Sequence, residues 1–155
     1  DALRAFIGTL RERQEQLAAR HRVRRPMLLK IAPDLSEAEM DAIAEVARAS
    51  AIDGLICTNT TIARDGVAGH RHASEAGGLS GRPVFARATA VLAGMHARLG
   101  KSVPLIGVGG ILAGRDAVAK FDAGASLVQF YTGMIFRGPD LIGDCVESLR
   151  RRKPR

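Results

Sequence analysis

Pro104-Leu-Ile-Gly-Val-Gly-Gly-Ile111 and Gly124-Ala-Ser-Leu-Val-Gln-Phe-Tyr-Thr-Gly133 decide the fold. Each holds a short apolar run, Leu105–Val108 and Leu127–Tyr131, of the length of a buried parallel strand. The first run ends in Gly109-Gly110 and the second in Tyr131-Thr132-Gly133. Glycine at a strand end lets backbone N–H groups approach a ligand with no Cβ in the way. Two such ends with a helix N-terminus behind them make an anion site, and a barrel commonly builds its phosphate site from the loops after its last two strands. Paired glycines after a strand also serve a plain tight turn, so the rest of the chain has to decide.

Working outward, the same alternation repeats. Strands are expected at about 27–32, 55–60, 104–109 and 126–131. Helical spacing is expected over 1–20, with Leu3, Phe6, Ile7, Leu10 and Leu17 on one face, and then over 36–49, 83–99, 115–122 and 140–152. Ser36-Glu-Ala-Glu39 is a capping box. Strands alternating with helices predict a parallel sheet with right-handed crossovers. The fold class is α/β, half of a (β/α)8 barrel, in one partial domain over 1–155. A complete barrel needs about 250 residues. The chain opens at Asp1 inside a helical pattern, so a longer protein is expected.

Composition bounds the function. No apolar run is long enough to span a membrane and no leader pattern opens the chain. Cys57 and Cys145 form no metal or redox spacing and read as buried and inert. His70 and His72 read as loop residues, and no metal is expected. The net charge of +7 is concentrated: Arg150–Arg155 holds five basic residues and no acid. That tail, with the cluster Arg20–Arg25, suits either an anionic membrane surface or a solvated helix end. Aromatic residues make up 4% and none interleaves with the basic clusters, which argues against nucleic acid.

Three further features carry chemistry. Lys30 interrupts a buried apolar run, where an ammonium is costly unless it meets an anion or a cavity; its alternative is a stem that packs and a head that reaches water. Thr58-Asn59-Thr60-Thr61 offers an amide and hydroxyls at one strand end, suited to a planar polar ring or to an ordinary polar strand exit. Residues 62–81 show no periodicity and are rich in glycine, as functional loops often are.

Lys30-Ile-Ala-Pro-Asp-Leu35, Thr58–Thr61, Gly77-Gly-Leu-Ser-Gly-Arg-Pro83, Ile106–Ile111 and Gly124–Thr132 together resemble the C-terminal half of a dihydroorotate dehydrogenase. The match is to the quinone-linked, membrane-associated class 2. It covers nearly the whole chain in order. The resemblance implies an FMN enzyme of pyrimidine (UMP) biosynthesis that oxidises dihydroorotate to orotate and passes electrons to a quinone. Under it, Lys30 lies beside the flavin ring, Thr58 and Gly81 touch flavin, and Gly110, Tyr131 and Thr132, with Gly109, grip its phosphate. Asn59 and Thr60 would contact substrate. The family's serine base lies upstream of Asp1, so no catalytic residue is expected here. Cys57, within a strand, should not replace it. The chain alone is expected to be soluble, inactive and prone to self-associate through open sheet edges, and the complete enzyme to sit peripherally on the cytoplasmic side of a membrane. Two other readings stand beside this one: a flavin barrel acting on transfer RNA, a dihydrouridine synthase, and a non-catalytic phosphate-binding half-barrel.

Overall fold

The computed structural model describes residues 2–152. Its helices are α1 (Ala2–His21), α2 (Glu37–Ala49), α3 (Phe85–Leu99), α4 (Gly114–Asp122), α5 (Thr132–Arg137) and α6 (Asp140–Arg151). Its strands are β1 (Leu28–Ile31), β2 (Gly54–Cys57), β3 (Leu105–Val108) and β4 (Leu127–Gln129). Short 3-10 turns occupy Asp65–Val67 and Arg82–Val84.

The four strands pair in sequence order, all parallel. Lys30, Ile56, Ile106 and Leu127 fall on one row across the sheet. Sequential order without reversal is the arrangement of a barrel; a doubly wound sheet reverses at a switch point. The topology is half of a (β/α)8 barrel.

Alternation along the strands sorts the two faces. Ile31, Leu55, Cys57 and Leu105 are buried and pack with Met40, Ala44 and Ala47 of α2 and Val91, Leu92 and Met95 of α3. A smaller cluster joins Ile111, Ala117 of α4 and Leu141 and Cys145 of α6. The other face is the one a closed barrel would turn inward. There Lys30 and Gln129 are exposed and Leu127 is 61% exposed, because no helix covers it. β1 and β4 are the two edges.

Local chemistry explains the ends. Ser36 Oγ accepts from the Glu39 N–H and the Glu39 carboxylate accepts from the Ser36 N–H, at 3.3 and 2.8 Å, completing the capping box of α2. Asp53 anchors the other side of the sheet by accepting from the Met27 N–H at 2.7 Å and from Arg24 at 2.8 Å. In the last turns of the chain Arg152 pairs with Asp122 at 2.8 Å, tying the end of α6 to α4. Part of the basic tail is therefore structural, and the rest, Lys153–Arg155, lies outside the described residues.

Three expectations need correction. β2 ends at Cys57 and β4 at Gln129, earlier than the apolar runs suggest, because Thr58 and Phe130 already belong to the irregular strand exits that line the cavity described below. The segment 132–137 forms the unexpected α5. Of the five apolar positions in α1 only Ile7 is buried; Phe6, Leu10 and Leu17 are 58%, 41% and 38% exposed. Arg11 holds α1 to the connection after α2 through the carbonyls of Ser50 and Ala51, and of the apolar face Ile7 joins the core and Leu3 packs against it.

Lys120 of α4 is fully buried. Its stem presses on Gly107, where a Cβ would lie 2.9 Å from that of Lys120. Its Nζ finds no hydrogen-bond partner among the described residues and sits 4.9 Å from the centre of the Phe85 ring. Burial pushes its pKa down from 10.5 to about 8, and burial pushes the Cys57 thiol up from 9.0 to about 12. Between pH 8 and 10.5 the unfolded chain binds the lysine proton more tightly, so stability rises with pH there; the Cys57 contribution opposes it above pH 9. Lys120→Met should therefore be more stable than the parent at pH 7 and should lack the parent's rise in stability between pH 8 and 9. Urea unfolding across that range checks it. A variant less stable at pH 7 would mean that the ring contact outweighs the cost of burial.

Candidate functional site

The carboxyl ends of the strands surround a cavity of about 400 Å³. All nine residues singled out in the sequence line it: Lys30 from β1, Thr58, Asn59 and Thr60 after β2, Gly81 before α3, Gly109 and Gly110 after β3, and Tyr131 and Thr132 after β4. Ser80 and Gln129 line it too and were not singled out. Ser80 lies within the Gly77–Pro83 motif, and Gln129 alternates with Val128 along β4, so each carried a readable signal.

One end of the cavity suits an anion. A Cβ on Gly110 would stand 2.4 Å from the Phe85 Cβ and 2.7 Å from its Cα, and φ there is +74°. Only glycine lets the start of α3 lie this close to the end of β3. Thr132 opens α5, whose first-turn N–H groups have no partner within the helix. Its hydroxyl lies 2.9 Å from that of Ser80, which joins the loop before α3 to the loop after β4.

The other end suits a polar ring. Thr58 is buried and its hydroxyl donates to the Asn59 carbonyl at 2.9 Å. The Asn59 side-chain oxygen accepts from the Thr60 N–H at 2.9 Å, which orients the amide. Lys30 projects from the uncovered face of β1 on the same side, and Tyr131 is 80% exposed.

Two carboxylates outside the cavity hold its loops. Asp34 accepts from Thr61 Oγ1 at 2.5 Å and from the Ile62 N–H at 2.9 Å, and pairs with Arg87 at 3.0 Å. Burial pushes its carboxyl up, but the Thr61 and Ile62 hydrogen bonds and the Arg87 charge together hold it below its usual range. Asp116 takes both guanidinium nitrogens of Arg82 at 3.0 and 2.9 Å and the N–H groups of Leu112 and Ala113 at 2.9 and 3.0 Å. It too stays below its usual range, burial notwithstanding, because Arg82 and those N–H groups stabilise its charge. The long loop 62–81 is tied down by a Thr61–Leu79 bridge and by Arg64, which donates to the carbonyls of Glu75 and Gly77 at 3.1 and 2.6 Å.

No carboxylate or histidine lines the cavity; Lys30 and Tyr131 are the titratable side chains of its described lining. Cys57, the last residue of β2, is buried with its thiol pushed up to about 12, and it cannot act as a general base. His70 and His72 line a separate hollow within the loop, with Arg64 and Glu75. No group of side chains suited to a metal ion occurs among the described residues.

A parallel half-barrel with its cavity at the carboxyl ends of the strands is the architecture of (β/α)8 enzymes. The family model described as dihydroorotate dehydrogenase matches residues 4–152. A dihydroorotate dehydrogenase (quinone) of Flavobacterium lutescens is 60% identical over 152 residues, covering 98% of this chain and 43% of the relative. That of Stenotrophomonas maltophilia strain K279a is 59% identical with the same coverage. The crystal structure of the Eimeria tenella enzyme in complex with ferulenol superposes with a TM-score of 0.87 at 38% identity, over 95% of this chain and 43% of that one. The chain belongs to the dihydroorotate dehydrogenase family. It spans about two-fifths of the length of the curated relatives it matches.

The close approach at Gly110 yields a stability test. Gly110→Ala should destabilise the chain by more than about 1 kcal/mol, since the new methyl meets backbone and the residue needs positive φ. Gly143→Ala, in α6 with nothing within 4 Å, should instead stabilise it by about 0.5–1 kcal/mol. Urea melts of both variants decide; equal and small effects would mean that the loop after β3 is not held against α3.

Proposed function

We propose that this chain is the C-terminal half of an FMN-dependent, quinone-linked dihydroorotate dehydrogenase, supplying the phosphate grip, one wall of the flavin site and part of the substrate site. One observation carries the reading. Nine residues assigned by separate motifs in four loops and strand ends line a single cavity. The family membership supports the dehydrogenase, and the relatives' names support the quinone.

The donor set fits such a cofactor. Backbone N–H groups at Gly109, Gly110 and the start of α5, with the Thr132 hydroxyl, suit a phosphate monoester. Asn59 and Thr60 suit the imide edge of a pyrimidine, donating and accepting in one plane. Lys30 places a cation beside the ring, where it favours added negative charge. The flavin, when bound, would accept the electrons that dihydroorotate loses on becoming orotate. The proton at C5 would leave to a serine on the part of the enzyme that this chain does not span. The family match leaves the RNA-modifying alternative without support.

The wall is incomplete. Leu127 and Tyr131 are 61% and 80% exposed, and both edge strands are open. The purified chain should therefore hold little flavin, should not reduce a dye with dihydroorotate, and should self-associate. Flavin absorbance, dye reduction and mass in solution measure this; a yellow, monomeric, active preparation would contradict it. In the complete enzyme, Lys30→Ala should lower the reduction potential of the flavin and slow its reduction. An unchanged potential would remove Lys30 from the mechanism.

A further inference from the structure

Beside the cavity, and sharing only Ser80, Gly81 and Thr132 with it, lies a wider cleft of about 630 Å³. Arginines reach it from three elements: Arg82 from the turn before α3, Arg115 from the first turn of α4 and Arg137 from the last turn of α5. Their situations differ. Arg82 already has a carboxylate, Asp116, at 2.9 Å. Arg115 and Arg137 are exposed and make no ion pair or side-chain hydrogen bond among the described residues. Two cations thus line one concave surface with no carboxylate paired to either among the described residues, and an anion entering there would meet both charges. Phe136, 77% exposed, lines the same cleft, and Leu112 and Ala113 form its floor.

We propose that this cleft binds a phosphate ester. Guanidinium groups present paired N–H donors that match phosphate oxygens, and two of them hold a phosphate more tightly than one. Phe136, Leu112 and Ala113 offer the ester's organic part an apolar surface. The site is separate from the cofactor cavity, because neither Arg115 nor Arg137 lines that cavity. It does not rest on the flavin reading. Ser80 and Thr132, whose hydroxyls lie 2.9 Å apart, line both spaces, so a ligand here touches the wall of the cofactor site. The ester's source is either a soluble metabolite or the headgroup of an anionic lipid, and both present the same phosphate chemistry.

The test uses the whole 155-residue chain. Phenyl phosphate is titrated by calorimetry into the chain without flavin, and the arginine variants separate this cleft from the cofactor cavity, which neither side chain lines. In a second arm the chain is floated with vesicles of phosphatidylcholine, with or without phosphatidylglycerol. Phenyl phosphate should bind, more weakly as salt rises, and the double variant Arg115→Gln/Arg137→Gln should bind it at least about tenfold more weakly. Both side chains are exposed, so the variant should fold, which its thermal melt checks. Arg137→Glu should abolish binding. Flotation that needs both phosphatidylglycerol and the two arginines, with no phenyl phosphate bound, would assign the site to a lipid headgroup. Binding that the double variant leaves unchanged, or no binding in either arm, overturns the proposal.

Discussion

The cavity depends on one buried carboxylate. Asp116 is 4% exposed and accepts from both arms of Arg82 and from the backbone of Leu112 and Ala113. It sits in the first turn of α4, where a negative charge also meets the positive end of the helix. Through Arg82 it fixes the turn before α3, and through Leu112 and Ala113 it fixes the loop after β3. Gly110 then lies against Phe85, and Gly81 faces Thr132 from the other side. Such a carboxylate is costly to desolvate, and with all its partners in place it is costly to remove. Asp34 does the equivalent for the loops after β1 and β2.

The sheet supplies the frame for those loops. Parallel pairing in sequence order sends every strand's carboxyl end to the same rim, so residues far apart in the chain meet there. The same pairing leaves one face bare. In a closed barrel, Lys30, Ile56, Ile106 and Leu127 would lie inside; here Lys30 and Leu127 meet solvent. The half-barrel is thus well packed on its helical side, where Leu55, Leu92 and Met95 are fully buried, and unfinished on the other.

The strand and helix pattern was legible because each element carries a local signal. Ser36 and Glu39 announce α2, and Gly100 closes α3. The site was legible because glycines, a lone lysine and an Asn/Thr run cluster at strand ends, and the resemblance to a known family assigned roles to each. What local patterns could not carry lies in long-range contacts. The Arg82–Asp116 and Thr61–Asp34 bonds join residues far apart in sequence. α5 has six residues, one of them Gly133, and stops at Gly138, too few for a period. Lys120 looks like an ordinary surface lysine of a short helix, and only the fold shows it beneath β3. The apolar face of α1 was readable, but beyond Leu3 and Ile7 most of it stays exposed among the described residues.

We propose that this chain completes a dehydrogenase. Its most direct test is complementation: mix it with the separately expressed part of the Flavobacterium lutescens relative that it does not span. A one-to-one complex that takes up FMN and oxidises dihydroorotate with a quinone as acceptor is expected. A complex that forms and stays colourless, or two chains that ignore each other while each folds, would contradict it.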